Sequence, residues 1–138
     1  VFSSDGGPQF NAQFGPGDNA APYRTMRDMA VADLDGSGDM EIVVAIADGL
    51  IVALDHECRT VWATRLPSPP TQLAVLAPEG AAPAIIAGCE NGSVVRLSGD
   101  GEIAALGSAG GRVESMVVAN GRVVATDADG AVTAWTVD

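Results

Sequence analysis

The sequence predicts an all-β protein assembled from repeated, four-stranded antiparallel units. Three observations carry that prediction. Short runs rich in Val, Ile, Leu and Ala alternate with Gly-containing turns along the chain. Three of those turns are Asp-Gly or Asn-Gly pairs set between two β-rich runs, a strong local hairpin signal. Their glycines, Gly49, Gly92 and Gly130, recur at intervals of about forty residues.

The hairpins align residue by residue. The first is Ile42 to Ala47, then Asp48-Gly49, then Leu50 to Leu54. The second is Ala84 to Glu90, then Asn91-Gly92, then Ser93 to Leu97, and the third is Val123 to Ala128, then Asp129-Gly130, then Ala131 to Trp135. An Asp-Gly or Asn-Gly pair favours a type I′ turn, which needs positive φ at both central residues, so this turn type is expected at all three sites. Each hairpin is preceded by one more strand, at Met29–Val31, Gln72–Leu76 and Glu114–Val118. The first two are followed by another, at Thr60–Thr64 and Glu102–Leu106. A four-stranded unit at this period is a β-propeller blade.

The expected division is a blade over residues 25–68, a second over 69–108, and a third over 109–138 that lacks its outer strand. Pro67, Pro69 and Pro70 fall in one connector, and Gly107, Gly110 and Gly111 in the next. Residues 1–14 read as the outer strand of a preceding or neighbouring blade, because Gln9 to Phe14 alternates in character, and residues 15–24 read as a connector. Propellers typically have about four to eight blades, so three call for completion by further sequence or by other copies.

Composition narrows the function classes. The net charge of −11 argues against nucleic acid or an anionic membrane surface as a partner. No apolar run approaches a membrane span. All seven basic residues are Arg, the usage of a GC-rich genome, with a salt-adapted source as a second reading of the acidity. The chain starts at Val1 with no leader-like segment, so a leader has been removed or the chain is an excerpt of a longer one. Cys58 and Cys89 lack metal-ligand spacing and fall on turns expected at opposite ends of their blades, so two free thiols are expected.

Chemistry concentrates at Asp33-Leu34-Asp35-Gly36-Ser37-Gly38-Asp39-Met40-Glu41, between two predicted strands. Oxygen-bearing side chains stand at every second position: Asp33, Asp35, Ser37, Asp39 and Glu41. Gly36 and Gly38 supply the backbone freedom that wrapping around an ion needs. A hard cation such as calcium takes six to eight oxygens, and such a loop can supply several of them. A solvated turn is the alternative. An ion here would neutralise crowded carboxylates and fix one strand connection.

Val31 to Val44 resembles the FG-GAP/VCBS repeat of extracellular, integrin-like β-propellers. The resemblance implies calcium bound by the side chains of Asp33, Asp35 and Ser37, by the main-chain carbonyl of Asp39, and by Glu41 as the closing carboxylate. Ser37 stands where an acid is commoner, which implies weaker affinity. Asp48 to Asp55, with Val61-Trp62, is similar to quinoprotein-type propeller repeats. The metal motif occurs once, since neither Pro78–Pro83 nor Asn120-Gly121 can hold an ion.

The remaining candidates have structural readings. His56, the single histidine, lies in a turn whose adjacent residues do not converge on an ion. Trp62 and Trp135 are expected between blades. Asp127-Ala128-Asp129-Gly130 is a hairpin turn, and no nucleophile elbow, zinc motif or phosphate loop is present. The expected function is a calcium-stabilised extracytoplasmic module, extracellular or periplasmic, for protein or carbohydrate binding or scaffolding. Its partners would be such a ligand or further blades from another chain. Two other readings stay open: a fragment of a propeller enzyme, either a quinone-dependent dehydrogenase or a polysaccharide lyase, and a structural subunit of a larger assembly.

Overall fold

A computed structural model describes residues 26–77 and 82–136. The readings of residues 1–14 and 15–24 lie outside the described residues, as does most of the Pro78–Pro83 loop. Every regular element among the described residues is a β-strand, and no helix is long and apolar enough to cross a membrane.

The strands form three antiparallel sheets. Blade A contains β1 (Met26–Ala32), β2 (Glu41–Ile46), β3 (Leu50–Leu54) and β4 (Thr60–Arg65) in that spatial order. Blade B contains β5 (Pro70–Leu76), β6 (Ala84–Cys89), β7 (Ser93–Leu97) and β8 (Ile103–Ser108). Blade C contains β9 (Val113–Ala119), β10 (Arg122–Asp127) and β11 (Val132–Thr136). The first strand of each blade lies against the first strand of the next, β1 on β5 and β5 on β9, as the innermost ring of a propeller requires.

Strand ends extend beyond the sequence reading. Pro70 opens β5, where a missing N–H is tolerated, and Gly107 belongs to β8 because Trp135 needs the space a side chain there would fill. The turn type is a correction. Gly49, Gly92 and Gly130 have positive φ, but Asp48, Asn91 and Asp129 do not. Each glycine N–H instead bonds the carbonyl three residues earlier, from Ile46, Cys89 and Asp127. This is a type I turn followed by one left-handed residue, a three-residue hairpin loop that needs only the glycine to be unusual. The two-residue type I′ geometry occurs at Asn120-Gly121, where both φ values are positive.

Two apolar layers join the blades. Val43, Ala45, Ile51, Ala53 and Leu66 of blade A pack on Leu73, Ile85, Ala87, Val95 and Leu97 of blade B. Leu76, Ala84, Ile86 and Val94 of blade B pack on Val113, Met116, Val123 and Ala125 of blade C. Strand β6 takes part in both layers, and β2 carries a separate buried cluster of Val44, Ile46, Val52 and Leu54 on its other face, which explains why both strands read as continuous rather than alternating runs.

Candidate metal centre

The acidic loop is the connection from β1 to β2, and its backbone is shaped by its own carboxylates. Asp33 accepts N–H bonds from Ser37 at 3.1 Å and Gly38 at 2.9 Å, and Asp35 accepts one from Ser37 at 3.0 Å. Gly36 and Gly38 both take positive φ, which lets the loop fold over these acceptors. Glu41, the first residue of β2, is buried and accepts the Leu34 N–H at 2.7 Å.

These bonds bring one carboxylate oxygen from each of Asp33, Asp35 and Glu41 within 4.8 Å of one another. Three like charges so close repel one another. Burial, with Asp35 and Asp33 nearby, pushes the Glu41 carboxyl above its ordinary value. Hydrogen bonds from Ser37 hold the Asp35 carboxyl below its own. Ser37 Oγ accepts the Asp39 N–H at 3.2 Å and stands 3.5 Å from the Asp39 carbonyl oxygen, so a hydroxyl and a main-chain carbonyl lie side by side. The Asp39 carboxylate faces elsewhere, 3.9 Å from His56 Nδ1. The donor set is all oxygen and strongly anionic, which fits a hard divalent cation better than a soft one.

The loop touches the neighbouring blade as well. Leu34 belongs to the apolar layer between blades A and B, and a Cβ at Gly99 would come within 2.7 Å of the Leu34 carbonyl oxygen. Trp62 Nε1 donates to the Gly99 carbonyl at 2.8 Å, and Thr64 Oγ1 donates to that of Gly101 at 2.6 Å. The β1–β2 loop, β4 and the β7–β8 turn thus meet at one end of the A–B interface.

Residues 23–120 match the model of the lambda-carrageenase beta-propeller domain, across the first two blades and the start of the third. The chain belongs to this family. Comparison with curated proteins returned no match. Among solved structures, the propeller is similar to BBS1N in complex with ARL6DN, in a crystal soaked with lead and in one soaked with mercury. The lead-soaked structure gives a TM-score of 0.61 at 19% identity over 78% of this chain, and the mercury-soaked one 0.55 at 16% over 83%. This chain spans only 36% and 40% of the lengths of those two. The likeness is one of fold.

Away from the acidic loop, the propeller uses its polar residues for architecture. His56 is exposed, and Cys58 and Cys89 are free thiols, the latter pushed up to about 11 by burial. Trp62 and Trp135 both lie between blades. Asp127 is buried and accepts N–H bonds from Gly110, Asp129 and Ala131, which hold its carboxyl below the usual value. Asp55 does the same for Glu57 and Arg59 in the β3–β4 turn.

Several inter-blade contacts have no signal in the sequence. Asp28 of β1 accepts the N–H of Leu73 in β5 at 2.8 Å, and Thr71 Oγ1 of β5 donates to the Val113 carbonyl of β9 at 2.6 Å. Glu90 pairs with Arg27 from blade A and stands 3.9 Å from Arg112 at the entry to blade C. A register shift recurs at the start of each innermost strand, beside Arg27, Thr71 and Glu114. The recurrence marks a bulge built into the repeat.

Proposed function

We propose that this chain is a calcium-stabilised propeller module of an extracytoplasmic protein that acts on polysaccharide, serving as scaffold and binding surface rather than as the catalytic unit. The observation that carries the metal part is the convergence of Asp33, Asp35 and Glu41. Spacing and flanking strands support an FG-GAP/VCBS-type loop, with Ser37 and the Asp39 carbonyl completing the donor set. A calcium ion would supply charge compensation there, while the loop's own hydrogen bonds hold the carboxylates in place. The polysaccharide part rests on the family, whose name is that of a carrageenase domain. An extracytoplasmic setting suits a site of weak affinity, because calcium is plentiful there.

Thermal melting tests the metal. With a dissociation constant of about 10⁻⁴–10⁻³ M and about 10 mM calcium, mass action adds about 1.4–2.7 kcal/mol, or about 5–10 °C in Tm over chelator. Glu41→Gln should abolish the difference. An identical Tm with calcium and with chelator rejects the site. Retention on immobilised carrageenan tests the second part, and elution together with an inert control protein would reject it.

A further inference from the structure

Blade A buries a face that no other described blade touches. Val44 is 7% exposed, Ile46 0%, Val52 3% and Leu54 4%. The cluster they form holds side chains of blade A alone among the described residues, with Ile42 and Leu50 at its edge. Blade A meets blade B through the opposite layer, where Val43, Ala45, Ile51 and Ala53 lie. The free face of an antiparallel sheet is normally polar and solvated, and these four side chains are neither. Another part of the same chain therefore lies on them.

The cover is narrow. Directly paired residues of antiparallel strands share a face, so Met29, opposite Val44, and Val31, opposite Ile42, stand beside the buried four. Trp62 packs into the A–B layer, so its neighbour Val61 turns to this face too. Met29 is nevertheless 63% exposed, Val31 47% and Val61 55%. The middle strands β2 and β3 are covered, and the flanking strands β1 and β4 are not. A whole blade would cover all four. A single extended segment has the right width, because adjacent strands lie only about 4.8 Å apart.

Its origin follows by elimination. Outside the described residues the chain has residues 1–25, 78–81 and 137–138. Residues 78–81 join β5 to β6 in blade B, and residues 137–138 follow β11 in blade C, beyond blade B. Residues 1–25 lead directly into Met26, the first residue of β1. Within them, Gln9-Phe10-Asn11-Ala12-Gln13-Phe14 alternates, so an extended run puts Phe10, Ala12 and Phe14 on one side and polar side chains on the other. Residues 15–25 can reach up to about 36 Å, more than the roughly 20 Å length of a six-residue strand.

We propose that Gln9 to Phe14 lies across β2 and β3 of blade A, with Phe10 and Phe14 seated on Val44, Ile46, Val52 and Leu54. The chain thereby closes this face of the blade with its own N-terminal segment. Photo-crosslinking of the full 138-residue chain tests the contact. p-Benzoylphenylalanine in place of Val61 stands beside the covered strip, at a position exposed enough to accept it. In dilute solution its crosslinks, mapped by mass spectrometry, should fall within one chain and on residues 9–14. Melting gives a second readout. Phe10→Asp combined with Phe14→Asp sets charge against the apolar strip and should lower Tm by about 5 °C or more. Gln9→Glu combined with Gln13→Glu, on the opposite side of the run, should leave Tm within about 1 °C. Crosslinks that join two chains or land on blade B or C overturn the proposal, as does a Phe10→Asp/Phe14→Asp chain that melts like the original.

Discussion

Gly88 sets the spacing between blades B and C. It lies on β6, and a Cβ there would meet Val113 Cγ1 at 2.6 Å, Cβ at 2.9 Å and Cγ2 at 3.1 Å. Val113 is fully buried at the start of β9. Moving 2.6 Å out to the 3.4 Å where ordinary contact begins requires about 0.8 Å of displacement. Rotating the valine does not provide it, because its Cβ is also too close. The strands themselves must part, and the Thr71 Oγ1 bond to the Val113 carbonyl, at 2.6 Å, stretches with them. Gly88→Ala should therefore cost about 2–3 kcal/mol, the upper part of the range for overpacking. Val113→Ala alone should cost about 2 kcal/mol through lost methyl burial and the space left behind. The double variant should recover about 1–2 kcal/mol relative to the sum, because the new methyl occupies what the valine vacated. Urea unfolding at fixed protein concentration measures all four proteins. A cost for Gly88→Ala below about 0.5 kcal/mol, or additivity within that margin, refutes the reasoning.

Two further predictions concern the turns and the acidic loop. Cys58 has φ of 63° at the position that Gly49, Gly92, Gly101 and Gly130 occupy in the other loops of this kind, so Cys58→Gly should relieve backbone strain. The gain should be about 0.5–1 kcal/mol after the extra entropy of glycine in the unfolded chain, seen as a higher Tm, and a lower Tm contradicts it. The pH dependence follows from Glu41. Its folded carboxyl is raised above 4.5, so without metal the loop contributes stability as pH falls from above the raised value toward 4.5. Calcium needs the charged form, so its affinity should drop over the same window. The Asp35 contribution, with its carboxyl lowered, is instead lost only as pH falls below 3.8. Calorimetric titration at two pH values checks this, and equal calcium affinity at pH 5 and pH 7.5 would count against it.

The sequence by itself determined the strands, their grouping and the place of the acidic loop. These features are local: β-branched runs, glycine at fixed offsets, and oxygen side chains at every second residue are set by neighbours a few positions apart. It also placed Trp62 and Trp135 between blades. Turn type was less legible, because Asp-Gly serves both a type I′ turn and the end of a type I turn, and the strand twist on either side decides between them. The tertiary structure alone decided which groups meet across blades. Asp28 on the Leu73 N–H, Thr71 on the Val113 carbonyl, Gly88 beneath Val113, and Leu34 against Gly99 all join residues more than twenty positions apart. Nothing in a local pattern marks Gly88 as the strand position that lies against Val113, or Glu41 as the buried member of an otherwise solvated acidic loop. Those roles arise only when the twist of each sheet carries one blade onto the next, and that packing turns a periodic sequence into a segment of a ring.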